Sequence, residues 1–500
     1  GDSCRSPSAQ VAAGYAEDCL FLNVYAPTLG GHAHAADYVS SAGPKAPVMV
    51  ILHGGDNVRS CSDEVDPSAW VEAGDVVAIT LNHRLQALGF LGSDRLPRAA
   101  RSSVTGRRTA TAGEDASAGS WNFALLDQRL ALRWVADNIA AFEGDRQRIT
   151  LVGHSSGGAA VLAHMAMPRS SGLFHRAIIE SALPLVPEVA VPTAIAEAQL
   201  DGLLQATACG SVECLLDLSA EEISRSAPSA RSGWRGGAAG FPWILVIDGE
   251  DLVGDPVALA EAGHLAGDIA VVLGTTRDEM AAGLAIEGLL DPANESEFLV
   301  TLAAWGAPTL PDAAALYSPQ HVPYPQRRDR HGDFWWRAVF ALTDWFFVCP
   351  TRRLAQALVK ANPAGTFVYS FEYAVESERT GLPPGYGEAV YHSAEVPFVF
   401  NCPASAGNCT CSTAHGEKAL ADSMATYWKS FAADGRPSGP TNLPVWPASG
   451  PSGDTVLVID VPVEFAGGGI WTRSTGVRQQ SDLCERWDQA RESRRTAFSV

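Results

Sequence analysis

Residues 148–161, RITLVGHSSGGAAV, constrain the fold of this chain more than any other stretch. An apolar, partly β-branched run ends in glycine, two serines follow, and an alanine-rich segment begins. Where a strand turns directly into a helix, the residues two before and two after the turn must be small, as Gly153 and Gly157 are. The stretch predicts a sharp turn that exposes the hydroxyl of Ser155 at the carboxyl end of a sheet. An ordinary glycine–serine turn is the alternative.

Strand-like apolar runs alternate with helix-like segments along the chain, which predicts a mainly parallel sheet flanked by helices. The predicted strands are 20–26, 47–55, 75–85, 148–153, 269–276, 366–374 and 455–460, and the predicted helices are 123–142, 157–167 and 416–435. The arginine-rich segment 95–119 has almost no bulky apolar residue and is predicted to be a loop insertion. Strand and helix signals continue beyond it, so we predict one domain over residues 1–500.

Charge and composition exclude several classes of protein. The net charge of −20 makes nucleic acid and anionic membranes poor partners. No run approaches the roughly 20 apolar residues of a membrane span, so no transmembrane segment is expected. Ten cysteines favour an oxidising compartment, and we therefore predict a secreted protein. The sequons at Asn294 and Asn408 permit glycosylation.

A serine hydroxyl is a weak nucleophile until a base takes its proton. In chains with this turn, the catalytic residues follow one another along the sequence in the order Ser, then Asp or Glu, then His. This order excludes His53 and His83, which precede Ser155, and His264 comes too early if an acid must lie between. The histidines that remain as candidate bases are His321, His331, His392 and His415. His392 lies in a loop that enters an apolar segment, where a base would be held rigidly. A structural histidine is the alternative there.

Two other segments supply the remaining parts of such a site. Asp278 and Glu279 follow a predicted strand directly, where a carboxylate can accept from an imidazole and stabilise its charge. The segment ILHGGDN also follows a strand, and its glycines let the N–H groups of Gly54 and Gly55, with that of Ser156, converge on an oxyanion. A solvated acidic pair and an ordinary glycine turn are the alternatives. Four weak signals nevertheless agree in order and context, which predicts a serine hydrolase.

Motifs spread over most of the chain occur together in one known family. They are EDCLFLNVYAP (17–27), NHRLQALGFL (82–91), the segment 125–161, RDEM (277–280), YHSAEVPFVF (391–400) and YWKSFAADGRP (427–437). In this combination the chain resembles the type-B carboxylesterases, the cholinesterase-like family of the α/β-hydrolase superfamily. The resemblance implies an α/β-hydrolase fold with a large, mostly parallel central sheet. It also implies a Ser155–Glu279–His392 triad, with Glu279 rather than Asp278 as the acid, and no metal or cofactor.

Three residues near the nucleophile depart from the family pattern. His154 and Ser156 stand where the family usually has glutamate and alanine, and Asp56 stands where it usually has a third glycine. His154 removes a negative charge from beside the nucleophile. Family members that bind choline do so through an aromatic side chain in their first cysteine loop, and here the loop from Cys4 to Cys19 offers only Tyr15. We therefore predict no preference for choline esters. Only sixteen residues precede Glu17, so we expect the family's N-terminal edge strands to be missing or supplied by a cleaved segment.

The resemblance also implies three disulfides. They pair Cys4 with Cys19, Cys209 with Cys214 and Cys349 with Cys484. We expect two more bridges among the remaining cysteines, with three pairings open: Cys61, Cys402, Cys409 and Cys411. Free thiols or a zinc site are the alternatives for these four.

The overall prediction is a secreted serine carboxylic-ester hydrolase that acts on a small-molecule or lipid ester through an acyl-enzyme intermediate. Two alternatives stay open. One is a catalytically silent, cholinesterase-like adhesion or assembly module, and the other is an acyltransferase that uses the same acyl-enzyme. The aromatic segment 333–347 fits either the wall of an apolar substrate pocket or the buried face of a helix.

Overall fold

A nine-stranded sheet lies at the centre of the part of the chain that the structure describes. The computed structural model describes residues 17–27, 45–72, 75–96, 121–182, 189–227, 243–265, 269–286, 292–322, 332–374, 389–401, 415–441, 443–452, 455–460, 470–473 and 481–498. The strands are β1 (Leu22–Tyr25), β2 (Ala46–Leu52), β3 (Val77–Leu81), β4 (Gly144–His154), β5 (Arg176–Glu180), β6 (Ala190–Pro192), β7 (Leu245–Ile247), β8 (Ala270–Thr276), β9 (Thr366–Phe371), β10 (Val456–Ile459) and β11 (Ile470–Arg473). Their order in the sheet is β1-β3-β2-β4-β5-β8-β9-β10-β11, while β6 and β7 form a separate parallel pair. The outer pairs β1–β3 and β10–β11 are antiparallel and the inner pairs are parallel, which confirms a mostly parallel sheet.

Helices connect and cover these strands, as the alternation of segments predicted. They are α1 (Ser68–Glu72), α2 (Gln86–Phe90), α3 (Phe123–Asn138), α4 (Ser156–Ala166), α5 (Thr193–Ala206), α6 (Val212–Leu216), α7 (Ala220–Ser226), α8 (Pro256–Glu261), α9 (Met280–Ile286), α10 (Glu295–Ala304), α11 (Ala313–Leu316), α12 (Asp333–Thr343), α13 (Cys349–Ala361), α14 (Val396–Val399), α15 (His415–Asp434) and α16 (Ser481–Phe498). One π-helical turn, Asp344–Val348, joins α12 to α13. None of the helices in the described residues has both the length and the apolar character that a membrane crossing requires.

The two faces of the sheet bury alternate residues of the same strands, because successive side chains of a strand point in opposite directions. In β2, Val48, Val50 and Leu52 pack into one apolar cluster, whereas Met49 and Ile51 pack into another. Helix α4 contributes to the first cluster and helix α15 to the second. Burial on both faces explains why the central strands are continuous apolar runs in the sequence.

The parallel register brings the carboxyl ends of several strands to one edge of the sheet. Leu52 of β2 lies beside Gly153 of β4, and the same row continues through β5 to Leu273 of β8. The segments that follow these strands therefore emerge close together. They carry the glycine loop after β2, Ser155 after β4 and Glu279 after β8.

Two of the disulfides that the resemblance implies are present. The short disulfide joins Cys209 to Cys214, and the long disulfide joins Cys349 at the start of α13 to Cys484 in α16, closing 135 residues. Cys19 and Cys61 are buried together in a small apolar cluster. The remaining cysteines of the predicted bridges lie outside the described residues, so those pairings stay predictions: Cys4, Cys402, Cys409 and Cys411.

The seven predicted strands and three predicted helices are all present, with ends displaced by a few residues. The predicted loop insertion 95–119 lies outside the described residues beyond its first two positions. The one-domain organisation therefore stays a prediction. Among the described residues, β1 is the edge strand of the sheet on the side of β3.

Candidate active site

Ser155 occupies the turn between β4 and α4 that the sequence predicted. Its backbone φ is +56°, a left-handed value that costs a non-glycine residue on the order of 1–3 kcal/mol. A Cβ on Gly153 would lie 2.8 Å from a backbone nitrogen in the first turn of α4, and a Cβ on Gly157 would lie 2.7 Å from the carbonyl oxygen of His53. Side chains do not fit at these distances, so the close approach of strand and helix requires both glycines.

The loop after β2 touches the turn that carries Ser155. A Cβ on Gly54 would lie 3.1 Å from the Cβ of Ser155, which favours glycine at this position. Gly55, Asp56 and Asn57 follow with φ values of +97°, +60° and +61°. Three successive left-handed residues curl the loop tightly against the start of α4.

Asn57 ties this loop to the rest of the site. Its backbone N–H donates to Oγ of Ser156 at 3.3 Å, and its side-chain amide donates to the carbonyl of Trp243 at 2.8 Å. The N–H groups that the sequence predicts as oxyanion donors, those of Gly54, Gly55 and Ser156, make no hydrogen bond to the described residues. They are therefore available to donate to the oxygen of a bound molecule.

Two stacked histidines support the loop from within the protein. The rings of His53 and His83 lie 4.4 Å apart and nearly parallel. The Nδ1–H of His53 donates to the carbonyl of Gly54, and that of His83 donates to the carbonyl of Arg84, each at 2.9 Å. Burial lowers the pKa of both imidazoles, so the pair is uncharged at neutral pH. The pair fixes the backbone that enters the glycine loop.

Glu279 and His392 form the closest acid–base contact at this edge of the sheet. The Nδ1–H of His392 donates to Oε2 of Glu279 at 2.6 Å, a distance typical of a charge-assisted hydrogen bond. The other carboxylate oxygen of Glu279 accepts from the backbone N–H of Thr276 at 2.8 Å, and the side chain is fully buried. Because Nδ1 carries the proton, Nε2 of the neutral ring is the basic nitrogen.

The surroundings of His392 favour its protonated form. Burial lowers the pKa of the imidazole, whereas Glu279 raises it through its charge and its hydrogen bond. Glu395 and Asp56 raise the pKa further, and the balance lies above the ordinary value of 6.5. A ring in this position can hold the positive charge that a general base acquires.

Asp278 has a different task from its neighbour Glu279. It is fully buried, pairs with the guanidinium of Arg277 at 2.8 Å, and accepts from the backbone N–H of Val390 at 3.0 Å. The N–H of Asp278 in turn donates to the carbonyl of Val390 at 2.9 Å. Asp278 therefore anchors the segment that leads to His392, while Glu279 contacts the imidazole itself.

His392 lies at the turn that carries Ser155. Its ring centroid is 4.7 Å from that of His154, the residue before Ser155, and 5.2 Å from that of Phe347. Nε2 of His392 is buried and has no hydrogen-bond partner among the described residues. The three predicted triad residues thus come from segments far apart in sequence and reach one edge of the sheet.

The other predicted residues lie elsewhere or outside the described part of the chain. His321 is exposed and its Nδ1 lies 3.0 Å from Oγ of Ser318, while His331 and the side chain of His415 are not among the described residues. Asn294 is exposed and caps α10, and Asn408 is not described. Within the described residues no cluster of His, Cys, Asp and Glu could hold a metal ion.

The aromatic segment 333–347 is mostly core. Trp335, Trp336 and Trp345 are buried in one apolar cluster with the helices around them. Phe347 belongs to the same cluster, but its ring also packs against the ring of His392. The helix-core interpretation therefore describes most of the segment, and one residue reaches the site.

Two buried glutamates near the site were not predicted. Glu395 lies three residues after His392 and accepts from Oγ of Ser181 at 2.9 Å. Glu180 ends β5, accepts from the indole N–H of Trp428 at 2.6 Å, and its carbonyl accepts the N–H of Ser155 at 2.9 Å. In the sequence both glutamates sit in ordinary apolar surroundings, and only burial distinguishes them.

The mostly parallel sheet, with a strand-to-helix turn holding a serine at its carboxyl edge, defines an α/β-hydrolase. The profile of the carboxylesterase family matches residues 2–100 and 110–475. The para-nitrobenzyl esterase of Bacillus subtilis (strain 168) is 28% identical over 477 residues, which cover 92% of this chain and 84% of the relative. The acylcarnitine hydrolase of Rattus norvegicus is 30% identical over 446 residues, covering 86% of this chain and 69% of the relative. A solved structure titled PNB esterase superposes with a TM-score of 0.71 at 24% identity, covering 97% of this chain and 88% of that one.

The chain belongs to the carboxylesterase family. Membership confirms the predicted resemblance and the prediction of a carboxylic-ester hydrolase. The structural likeness independently confirms the predicted fold.

Proposed function

We propose that this chain is a secreted serine carboxylic-ester hydrolase in which Ser155 is the nucleophile, His392 the general base and Glu279 the acid that orients it. One observation carries the proposal: a buried Glu279 holds Nδ1 of His392 at 2.6 Å, which leaves a basic Nε2 without a partner among the described residues. That ring lies beside the strained turn of Ser155.

In the proposed reaction, Oγ of Ser155 attacks the ester carbonyl while Nε2 of His392 takes the hydroxyl proton. The tetrahedral intermediate collapses, the bond to the alcohol oxygen breaks, and the imidazolium returns the proton to the leaving alcohol. Water then attacks the acyl-enzyme by the same route and releases a carboxylic acid and free Ser155. Glu279 stabilises the imidazolium in both halves without taking its proton.

The N–H groups of Gly54, Gly55 and Ser156, which have no hydrogen-bond partner among the described residues, support an oxyanion hole. They lie on the loop and the helix start that border Ser155, and preorganised donors of this kind typically contribute about 10²–10³ in rate each. Asp56 places a side chain where the family usually has a third glycine. We infer that two loop donors and one helix donor hold the oxyanion.

Secretion is supported by the short and long disulfides, which persist in oxidising compartments. The substrate is proposed to be a neutral ester, because His154 replaces the glutamate that the family usually has beside the nucleophile. Acetylcholine as the best substrate in a panel of esters would contradict this. Family membership favours hydrolysis over the silent-module and acyltransferase alternatives.

The proposal is tested with a fluorophosphonate and mass mapping of the adduct. Ser155 should be labelled in the native protein, and labelling should vanish in Ser155→Ala and after unfolding. Ser156→Ala is the matched variant, because it removes the neighbouring hydroxyl but keeps the backbone N–H, and it should still be labelled at Ser155. Labelling that survives in Ser155→Ala, or no labelling of the native protein, would overturn the assignment.

A further inference from the structure

A second imidazole and a second carboxylate lie directly beside His392. The ring of His154 is tilted by 34° from that of His392 at a centroid distance of 4.7 Å. Nε2 of His154 lies 4.0 Å from Oε1 of Glu395. Glu279–His392 and His154–Glu395 thus form two imidazole–carboxylate contacts, and the two rings pack against each other.

Unsatisfied polar atoms mark this second contact. Nε2 of His154 and Oε2 of Glu395 are both buried and make no hydrogen bond to the described residues. An unpaired buried polar group costs about 1–3 kcal/mol, so the two side chains gain by pairing with each other. A ring rotation that shortens the 4.0 Å separation by about 1 Å would place Nε2–H within hydrogen-bond distance of the carboxylate.

Glu395 is held firmly where His154 meets it. Its side chain is fully buried, Oε1 accepts from Oγ of Ser181 at 2.9 Å, and the hydroxyl of Tyr369 lies 3.5 Å away. Burial raises the pKa of Glu395 to about 7, and the charge of Glu279 adds to the effect. A donor such as Nε2–H of His154 would favour the charged form of this carboxylate.

We propose that His154 and Glu395 form a second imidazole–carboxylate pair that positions the ring of His392 and keeps a negative charge beside it. Glu395 faces His392 closely enough to raise its pKa, so an ionised Glu395 would stabilise the imidazolium formed in each step. Burial, with His392 adding, lowers the pKa of His154 well below its ordinary value, so this ring stays neutral. His154 is thus a positioning residue, and the pair acts only if Ser155 and His392 react as proposed above.

The groups that face the two rings come from several elements. His392 faces Glu279 after β8, Glu395 on its own segment and Asp56 on the glycine loop. Glu395 itself also faces the carboxylate of Glu180 at the end of β5 and the phenol of Tyr369 in β9. Burial, with Glu395 adding, raises the pKa of Glu180 to about 8, so this second carboxyl is uncharged at neutral pH.

The test is the pH profile of kcat/KM for a p-nitrophenyl ester, measured on the full chain. Glu395→Gln should lower the midpoint of the acid limb by roughly 0.5–1 pH unit, because it removes a negative charge that raises the pKa of His392. His154→Gln should lower the midpoint in the same direction by a smaller amount. His154→Glu should raise it, because it adds a negative charge beside the base.

Glu180→Gln is the matched control, since it changes a buried carboxyl nearby that is already uncharged at neutral pH. Its midpoint should stay within about 0.2 pH unit of the native value. Thermal unfolding checks that each variant is folded, and His154→Gln serves if Glu395→Gln does not fold. Fluorophosphonate labelling of Ser155 separates the two proposals: absence of labelling in the native chain defeats the triad. If Ser155 is labelled but the folded variants at positions 154 and 395 keep the native acid-limb midpoint, the triad stands and the proposed pair of His154 and Glu395 is wrong.

Discussion

Replacing Gly157 by alanine should disable the site without changing any residue of the proposed triad. Gly157 lies in the first turn of α4, and a Cβ there would lie 2.7 Å from the carbonyl oxygen of His53 and closer still to that of Leu52. Ordinary van der Waals contact begins at 3.4 Å, so the added carbon overlaps by at least about 0.7 Å. The neighbouring atoms are backbone, so they can yield only if helix and strand separate.

The separation moves two parts of the site against each other. Leu52 and His53 lead into Gly54, whereas Gly157 is carried by the helix that begins after Ser155. A displacement of about 1 Å between reacting groups costs about 10²-fold, and loss of one oxyanion donor costs about 10²–10³. We therefore expect kcat/KM for a p-nitrophenyl ester to fall by about 10²–10³, with an overpacking cost of about 1–3 kcal/mol in stability.

Gly202 offers a matched control for the same substitution. It lies in α5, and a Cβ at this position would meet nothing within 4 Å in the described part of the chain outside its own helix backbone. Gly202→Ala should leave kcat/KM unchanged and raise the free energy of unfolding by about 0.5–1 kcal/mol, because alanine is the better helix former. A folded Gly157→Ala variant with kcat/KM within about threefold of the native value would show that the site tolerates a Cβ here, contrary to this prediction.

Three further predictions concern stability and pH. Removal of the long disulfide by paired alanine substitution should cost about 5 kcal/mol of unfolding free energy, and removal of the short disulfide about 2 kcal/mol. The long disulfide closes 135 residues and the short one 5, and a longer closed loop removes more entropy from the unfolded chain. Equal losses in urea unfolding would contradict this. The kcat/KM of the native chain should fall as the pH drops, with a midpoint above 6.5, because burial lowers the pKa of His392 but Glu279, Glu395 and Asp56 together raise it by more; a midpoint at or below 6.5 is the contrary result. Relative to the native chain, Glu180→Gln should raise the free energy of unfolding more at pH 8 than at pH 5. Burial raises the pKa of Glu180 from 4.5 to about 8, so the folded chain binds this proton more tightly than the unfolded chain does. The stability that proton binding contributes is complete below pH 4.5 and is lost between pH 4.5 and 8, at about 1.4 kcal/mol per pH unit. Urea unfolding at the two pH values checks this, and an identical pH dependence in variant and native chain would argue against it.

The fold was readable from the sequence where strands are long and buried on both faces. β2, β8 and the second half of β4 appear as apolar runs bounded by turn residues, and their parallel order follows from the helices between them. β5 was missed because its five residues, RAIIE, carry a charge at each end and too few apolar residues to distinguish strand from helix. Its strand form comes from pairing with β4 and β8 on either side. Tertiary context decides such short segments.

Ser155 and Glu279 could be predicted because each directly follows a strand, whereas His392 was predicted from its order in the chain and from the family motif around it. Position after β8 does not distinguish Asp278 from Glu279, and only the family resemblance favoured Glu279 as the acid. The contacts of Asp278 with Arg277 and Val390 come from the structure alone. Sequence reasoning could not find the contact between His154 and Glu395 either, because that contact depends on where the segment after β9 returns to the sheet. Contacts of this kind have no local signature.

Two of the three departures from the family pattern, His154 and Asp56, lie close enough to His392 to affect its imidazole. His154 replaces a residue that is usually glutamate, which removes one negative charge from the side of His392 that faces the nucleophile turn. Asp56, where the family usually has glycine, adds a carboxylate on the glycine loop that raises the pKa of the same imidazole. The buried Glu395 lies 4.0 Å from Nε2 of His154, and under the proposal above its charge would stabilise the imidazolium in place of the missing glutamate. Because residue 154 carries no negative charge beside the nucleophile, we expect neutral esters to be better substrates than esters of a cationic alcohol.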